Sequence, residues 1–326
     1  MAHVLFIDVR LLQLRLIYNR SIFFVFIGTK GVLFMFEPAI LNLTPREQLI
    51  YLSEYGQLTY EELSQLNIED QRIDEHGIWQ LTQKHQTLSQ FLQQYSVEFF
   101  RELYQKEGIN PITIIDNEYP EQLKEIYHPP PVLFTKGNHS LLKTPSLAIV
   151  GSRKMSEYGQ QVMTQLMPAL SRYFTIVSGL ACGCDAMAHQ TCIKNQGQTI
   201  GVIGTGLLTA YPKQNKSLQH QIATHHLLVS PLPNLAGVKR WHFPFRNRVI
   251  AGLSMGTCVI EAKIRSGSLI TANYALQENR NVYSVPGNIF SETSEGCNQL
   301  IQLGAKSVLS AKDIIEDLEE AFKAVQ

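Results

Sequence analysis

Two short loops carry the residue types that bind anions, Gly151-Ser152-Arg153 and Ser178-Gly179. A glycine lets backbone N–H groups come close to a ligand, a serine adds a hydroxyl, and an arginine adds a forked cation suited to phosphate. Ser266-Gly267-Ser268 offers hydroxyls and N–H groups at the start of a helix, with Lys263 and Arg265 beside it. Capping alone needs one serine, so this cluster favours function. The densest stretch is Lys239-Arg240-Trp241-His242-Phe243-Pro244-Phe245-Arg246-Asn247-Arg248, four cations and three aromatics in ten residues. Aromatics stack on unpaired bases of any sequence and cations track phosphates, so this composition suits single-stranded nucleic acid. The alternative is that Phe243 and Phe245 anchor a core while Arg246 and Arg248 hold a loop.

Other constellations carry less. Gly204-Thr205-Gly206 follows an apolar run and resembles the start of a dinucleotide fingerprint, but the third glycine is missing and Tyr211-Pro212 blocks an immediate long helix. The next strand ends in Ser230-Pro231 instead of an acidic residue, which argues against NAD. The two glycines either admit a phosphate-bearing ligand or make a tight turn. Asp185 and His189 lie four apart on one helix face; with only one such pair, capping by Asp185 and a packed His189 are the simpler reading. Cys182, Cys184, His189 and Cys192 lack the paired spacing of structural zinc. No Ser/His/Asp arrangement, nucleophile elbow or Walker loop occurs, and no cofactor or metal is expected.

These loops need a scaffold. Leu147–Val150 is an apolar run that breaks at Gly151, a helical pattern spans about Ser156–Arg172, and Phe174–Val177 is a second apolar run that breaks at Ser178. Strand, helix, strand within about thirty residues is a βαβ unit with a right-handed crossover. Ligands bind outside the carboxyl ends of such strands, where both anion loops fall. Further strands are expected at Ile112–Ile115, Val132–Phe134, Thr199–Ile203, Leu227–Ser230, Cys258–Glu261, Asn281–Val285 and Ser307–Leu309. Thr44-Pro45-Arg46-Glu47 opens a helical region that runs to Glu107, with a capping threonine, proline at the first helical position and glutamate at the third. The fold class is α/β, an extended Rossmann-like doubly wound, mostly parallel sheet with a small N-terminal helical domain.

The chain has 326 residues, enough for two domains. Its zero formal charge hides an asymmetry: Ser146–Lys306 holds 14 Lys+Arg against 6 Asp+Glu, and Phe36–Pro145 holds 8 against 16. The basic half suits a polyanion. Five scattered cysteines read as reduced cytosolic thiols. Residues 1–35 are an apolar leader, but Arg15, Arg20 and Lys30 leave no uninterrupted apolar run of the ~18–20 residues a membrane span needs. No cleavage site for a signal peptide follows, and Met35 is a candidate true start. The expected division is 1–35 leader, 36–110 helical domain and 111–326 Rossmann-like domain.

Taken together, the motifs resemble the DNA-processing protein A family (DprA, also called Smf). The likeness runs through Tyr119-Pro120, Pro130-Pro131-Val132-Leu133-Phe134, Val150-Gly151-Ser152-Arg153 and Val177-Ser178-Gly179-Leu180-Ala181. It continues in Gly183…Asp185-Ala186…His189, Tyr211-Pro212, Phe243-Pro244…Arg246-Asn247-Arg248 and Glu261-Ala262…Ser266-Gly267-Ser268-Leu269-Ile270-Thr271. Pro286-Gly287, Gly296…Asn298 and Gly304-Ala305 close it. The resemblance implies a cytoplasmic homodimer that binds single-stranded DNA, protects incoming DNA in natural transformation and helps load the RecA recombinase. By the same likeness Gly151-Ser152-Arg153 would hold a backbone phosphate, while Arg240 and Phe243 would grip and stack on the strand. The helical region stands where the family often has a sterile-alpha-motif-like domain. Two departures are Pro231, where members usually have glutamate, and a chain that stops soon after Asp313–Phe322, without room for a C-terminal winged helix.

A rival of another class is a nucleotide phosphoribohydrolase of the LOG type. Gly256-Thr257-Cys258-Val259-Ile260-Glu261 keeps part of that site, although Leu253-Ser254-Met255 replaces the glycines before it.

Overall fold

The computed structural model describes residues 13–18, 21–27, 33–36, 38–65 and 73–325. The chain forms two compact units, residues 1–109 and 110–326.

In the first unit, β1 (Gln13–Tyr18), β2 (Ser21–Ile27) and β3 (Leu33–Phe36) pair antiparallel in a three-stranded sheet. The apolar leader is thus partly strand, and the rest of it lies outside the described residues. Five helices follow: α1 (Pro45–Tyr55), α2 (Tyr60–Gln65), α3 (Glu75–Lys84), α4 (Leu88–Gln94) and α5 (Val97–Glu107). The expected capping box is present: the Glu47 amide donates to Thr44 Oγ1 at 3.3 Å, and Glu47 Oε2 accepts from the Thr44 amide at 2.9 Å. Gly56, at φ 70°, ends α1 in the left-handed conformation glycine tolerates. Leu49, Leu52, Ile78 and Leu88 are fully buried in this unit.

The second unit opens with β4 (Asn110–Thr113), α6 (Glu121–Lys124) and β5 (Val132–Gly137). Then come β6 (Ser146–Val150), α7 (Glu157–Tyr173), β7 (Thr175–Ser178), α8 (Cys184–Lys194), β8 (Thr199–Val202), α9 (Lys216–His225) and β9 (Leu227–Ser230). The chain continues through α10 (His242–Gly252), β10 (Gly256–Val259), α11 (Gly267–Gln277), β11 (Asn281–Ser284), α12 (Glu292–Gln302), β12 (Lys306–Ser307) and α13 (Lys312–Val325). One sheet of nine strands has the order β12-β11-β10-β6-β7-β8-β9-β5-β4. Every pair from β12 to β9 is parallel, and β5 joins both β9 and β4 antiparallel. This is the expected doubly wound α/β architecture.

Period-two alternation divides the core between the two faces of the sheet. From β6, Leu147 and Ile149 pack with α7, α8 and α13, through Met163, Leu170, Ala188 and Ile314. Ala148 and Val150 pack on the other face with α6, α10, α11 and α12, through Leu123, Val249, Ala272 and Leu300. The connectivity decides where a ligand can enter. From β6 the chain lays β7, β8 and β9 to one side, then returns to lay β10, β11 and β12 on the other. The loops after β6 and β10 therefore diverge and leave a crevice at the carboxyl edge, the topological switch point.

Candidate nucleic-acid interface

The crevice has a volume of about 540 Å3, and its walls are the loop after β6, the loop after β10 and the first turns of α10. The β6 loop is drawn inward by Gly151, where a Cβ would meet Cys184 Sγ at 2.6 Å. Ser152 closes the turn on itself, its hydroxyl accepting from the Lys154 amide at 3.1 Å and donating to Lys154 O at 2.9 Å. Arg153 and Lys154 are left exposed at the mouth.

Phe243 is half-buried on α10 and touched from several directions. The Arg153 guanidinium carbon lies 5.8 Å from its ring centroid, that of Arg246 lies 6.0 Å away, and the Tyr211 ring centroid is at 5.6 Å. Gly204 makes the close approach possible, because a Cβ there would sit 2.9 Å from the ring. Behind the phenyl ring, Arg246 is only 4% exposed. Its Nη1 donates to Val202 O at 3.3 Å and faces Asp185 Oδ2 at 3.9 Å, in space left by the missing side chain of Gly179. Burial lowers the guanidinium pKa to about 10 against the pull of Asp185, and burial raises the Asp185 carboxyl against the pull of Arg246. Arg246 thus forms the floor of the crevice, within the buried pair that holds it. Arg248 points elsewhere, donating to Tyr127 O at 3.3 Å with its guanidinium over Tyr274 at 4.9 Å.

The opposite rim comes from the β10 loop. Lys263 is exposed and paired with Glu292, and Arg265 is exposed at φ 59°. Ser266 stands at the N-cap of α11 but does not cap it; its hydroxyl meets that of Ser268 at 2.9 Å. Asn247 Nδ2 donates to Gly267 O at 3.3 Å and joins α10 to this rim. Glu261 turns away, buried, accepting from the Ser156 amide at 2.9 Å, from the Ser156 hydroxyl, and from Thr293 Oγ1 at 3.1 Å.

The structure brings Gly151, Ser152, Arg153, Phe243, Arg246, Asn247, Lys263, Arg265, Ser266, Gly267 and Ser268 to the crevice. Gly179 and Gly204 line a small pocket of about 70 Å3 that also includes Arg153 and Phe243. The remaining predicted residues lie elsewhere. Ser178 is fully buried and donates to Ile149 O at 2.6 Å. Gly206 admits the neighbouring backbone, since its Cβ would meet Asn234 O at 2.2 Å. Lys239 and Arg240 are exposed before α10, outside the crevice lining, with Lys239 Nζ 5.4 Å from the Trp241 ring centroid. Lys154, Ile264 and Ile270 line the crevice without having been singled out by sequence; Lys154 follows Arg153 directly, and that adjacency was the available signal.

The reactive-looking groups beneath the site are structural. His189 is fully buried with Nδ1 2.6 Å from Thr199 Oγ1, and burial pulls its imidazole down to about 3. Burial pushes the thiols of Cys192 and Cys297 up to about 11 and raises those of Cys184 and Cys258 as well. Among the described residues no group of three or more His, Cys, Asp or Glu side chains could hold a metal, and no helix is long and apolar enough to cross a membrane.

The chain is similar to known proteins. The family model described as DNA recombination-mediator protein A matches residues 110–319. The DNA processing protein DprA of Bacillus subtilis (strain 168) is 48% identical over 219 residues, covering 67% of this chain and 74% of that protein. Protein Smf of Escherichia coli (strain K12) is 40% identical over 203 residues, 62% of this chain and 54% of that protein. The crystal structure of DNA processing protein A from Streptococcus pneumoniae superposes with a TM-score of 0.68 at 39% identity, covering 84% of this chain and 93% of that one. DNA processing protein A from Helicobacter pylori, whose structure concerns a single-stranded DNA binding mode, superposes with a TM-score of 0.59 at 27% identity, covering 65% and 96%.

Proposed function

We infer the role of the crevice from one premise: the chain belongs to the DNA recombination-mediator protein A family. The crevice binds single-stranded DNA without regard to sequence. The observation that carries this reading is Arg153 laid over Phe243 at the switch point, with Lys154, Lys263 and Arg265 exposed around them. A guanidinium over a ring keeps its in-plane N–H donors, so Arg153 can hold a backbone phosphate while the aromatic edge offers a base an apolar contact. Asp185 is the one carboxylate in the lining, and it is committed to Arg246. The Helicobacter pylori relative's single-stranded DNA binding mode supports the same assignment.

On this reading the protein is a binding protein and not an enzyme. A homodimer in the cytoplasm protects incoming DNA during natural transformation and helps load the RecA recombinase; these parts rest on family membership. The rival hydrolase chemistry would need Glu261 free in the crevice, whereas its carboxylate is buried against Ser156 and Thr293. A mobility-shift comparison of single- and double-stranded oligonucleotides across a salt series tests the reading. Preference for the single strand, weakening as salt rises, is expected; equal or tighter duplex binding would overturn it.

A further inference from the structure

The loop after β11 exposes an apolar pair on the crevice side of the sheet. Phe290 is 90% exposed and Ile289 is 76% exposed. The loop that carries them is held firmly. Asn298 donates to Gly287 O and accepts from the Gly287 amide, both at 3.1 Å. The Phe290 amide donates to Asn288 Oδ1 at 2.9 Å, the Ser291 amide donates to Asn288 O at 3.0 Å, and Tyr158 OH donates to Pro286 O at 2.6 Å. A large ring on an ordered loop loses little conformational freedom when something stacks on it.

Its surroundings select the ligand. β11 lies next to β10, two strand spacings or roughly 10 Å from β6. The residues just after Phe290 are bonded to the crevice wall: Thr293 O accepts from the Ala262 amide at 2.8 Å, and Glu292 pairs with Lys263. Lys263 and Arg265 stand on the wall between Phe243 and this loop. The geometry points to a stacking position outside the crevice, in which Phe290 takes an unpaired nucleobase of a strand that has left the crevice along that wall. A protein partner fits less well. Two side chains at a loop tip fall far short of the ~800 Å2 per side of a stable protein interface, whereas one aromatic ring matches the area of one base.

This inference rests on the single-strand reading of the crevice, and the test separates the two. Fluorescence anisotropy would follow oligothymidylates of increasing length bound to the wild type and to Phe290→Ala, Phe290→Trp and Arg153→Ala. The wild type should gain affinity in a step once the oligonucleotide extends past the crevice. Phe290→Ala should lose that step, binding long oligonucleotides about 5- to 150-fold more weakly and the shortest ones normally, with an unchanged salt slope. Phe290→Trp should keep the step and should add a quenching of indole emission on binding beyond that of the wild type, which carries Trp79 and Trp241. Equal binding by Phe290→Ala and wild type at all lengths, or no added quenching in Phe290→Trp, would overturn the stacking position while the crevice reading stands. A changed mass by light scattering for Phe290→Ala, with normal DNA binding, would assign the ring to a second copy of the chain and also overturn it. Normal binding of every length by Arg153→Ala would instead remove the crevice reading.

Discussion

The Arg153 guanidinium lies over the Phe243 ring, 5.8 Å from its centroid, and Arg246 flanks the same ring at 6.0 Å. The first cation is exposed and the second is buried against Asp185. The phenyl ring therefore separates a cation that can reach solvent from one that cannot. Disturbing the ring therefore also disturbs the seat of Arg153.

Two glycine substitutions separate affinity from stability. Gly204→Ala would place a methyl group 2.9 Å from Phe243 Cδ1, which a side chain can relieve by tilting. The tilt spoils the Arg153 contact, and single-stranded DNA should bind about 2- to 5-fold more weakly, equivalent to ~0.5–1 kcal/mol. Gly206→Ala would place its methyl group 2.2 Å from Asn234 O, a backbone atom that cannot turn aside. Chemical denaturation should therefore show a loss of stability for Gly206→Ala that Gly204→Ala lacks.

Glu261 is predicted to be a structural carboxylate. Glu261→Gln turns an NH2 group toward donors that now meet oxygen, and the folded protein should lose ~1–3 kcal/mol in denaturant titrations. Neither wild type nor variant should release free base from nucleoside monophosphates. Release by the wild type that vanished in the variant would return the hydrolase reading.

Acid should weaken the second unit through His189. Burial holds its folded-state pKa at about 3, below the ordinary 6.5, so the unfolded chain binds the proton more readily. Its contribution is present in full above pH 6.5 and is lost as pH falls from there toward 3. His189→Gln keeps a donor for Thr199 and removes the charge. Its denaturation midpoint should decline less steeply with pH than that of the wild type, and equal slopes would count against this account.

The alternation of apolar runs and helical patterns made the parallel sheet legible in sequence, because the central β-strands are locally apolar and some helices carry their own start signal. Ser156 capping α7 is one such local signal. The loops that border the crevice were legible for the same reason: they fall where strands end. Longer-range choices left no local trace. That Arg246 would be buried beneath Phe243 depends on Gly179, Val202 and Asp185, which reach it from other loops and strands. Ser178 belongs to an apparent anion loop, yet its side chain points into the sheet toward Ile149 O. The pairing of β1, β2 and β3 was hidden by cations within an apolar leader, where the sequence posed a membrane question first.

Whether Arg153 meets phosphate and Phe243 meets a base is read from the salt dependence of single-stranded DNA binding in Arg153→Ala, Phe243→Ala and the double variant. Arg153→Ala should weaken binding for all sequences alike and flatten the log–log salt slope by about 0.7, one phosphate contact on a single strand. Phe243→Ala removes the apolar contact to a base and loosens the seat of Arg153, so it should cost ~1–3 kcal/mol while flattening the slope clearly less than Arg153→Ala does. The double variant should lose less than the two single losses combined, since the two side chains touch. Equal slope changes in the two single variants would contradict the division of roles, and unweakened binding in both folded variants would show that DNA does not use this crevice.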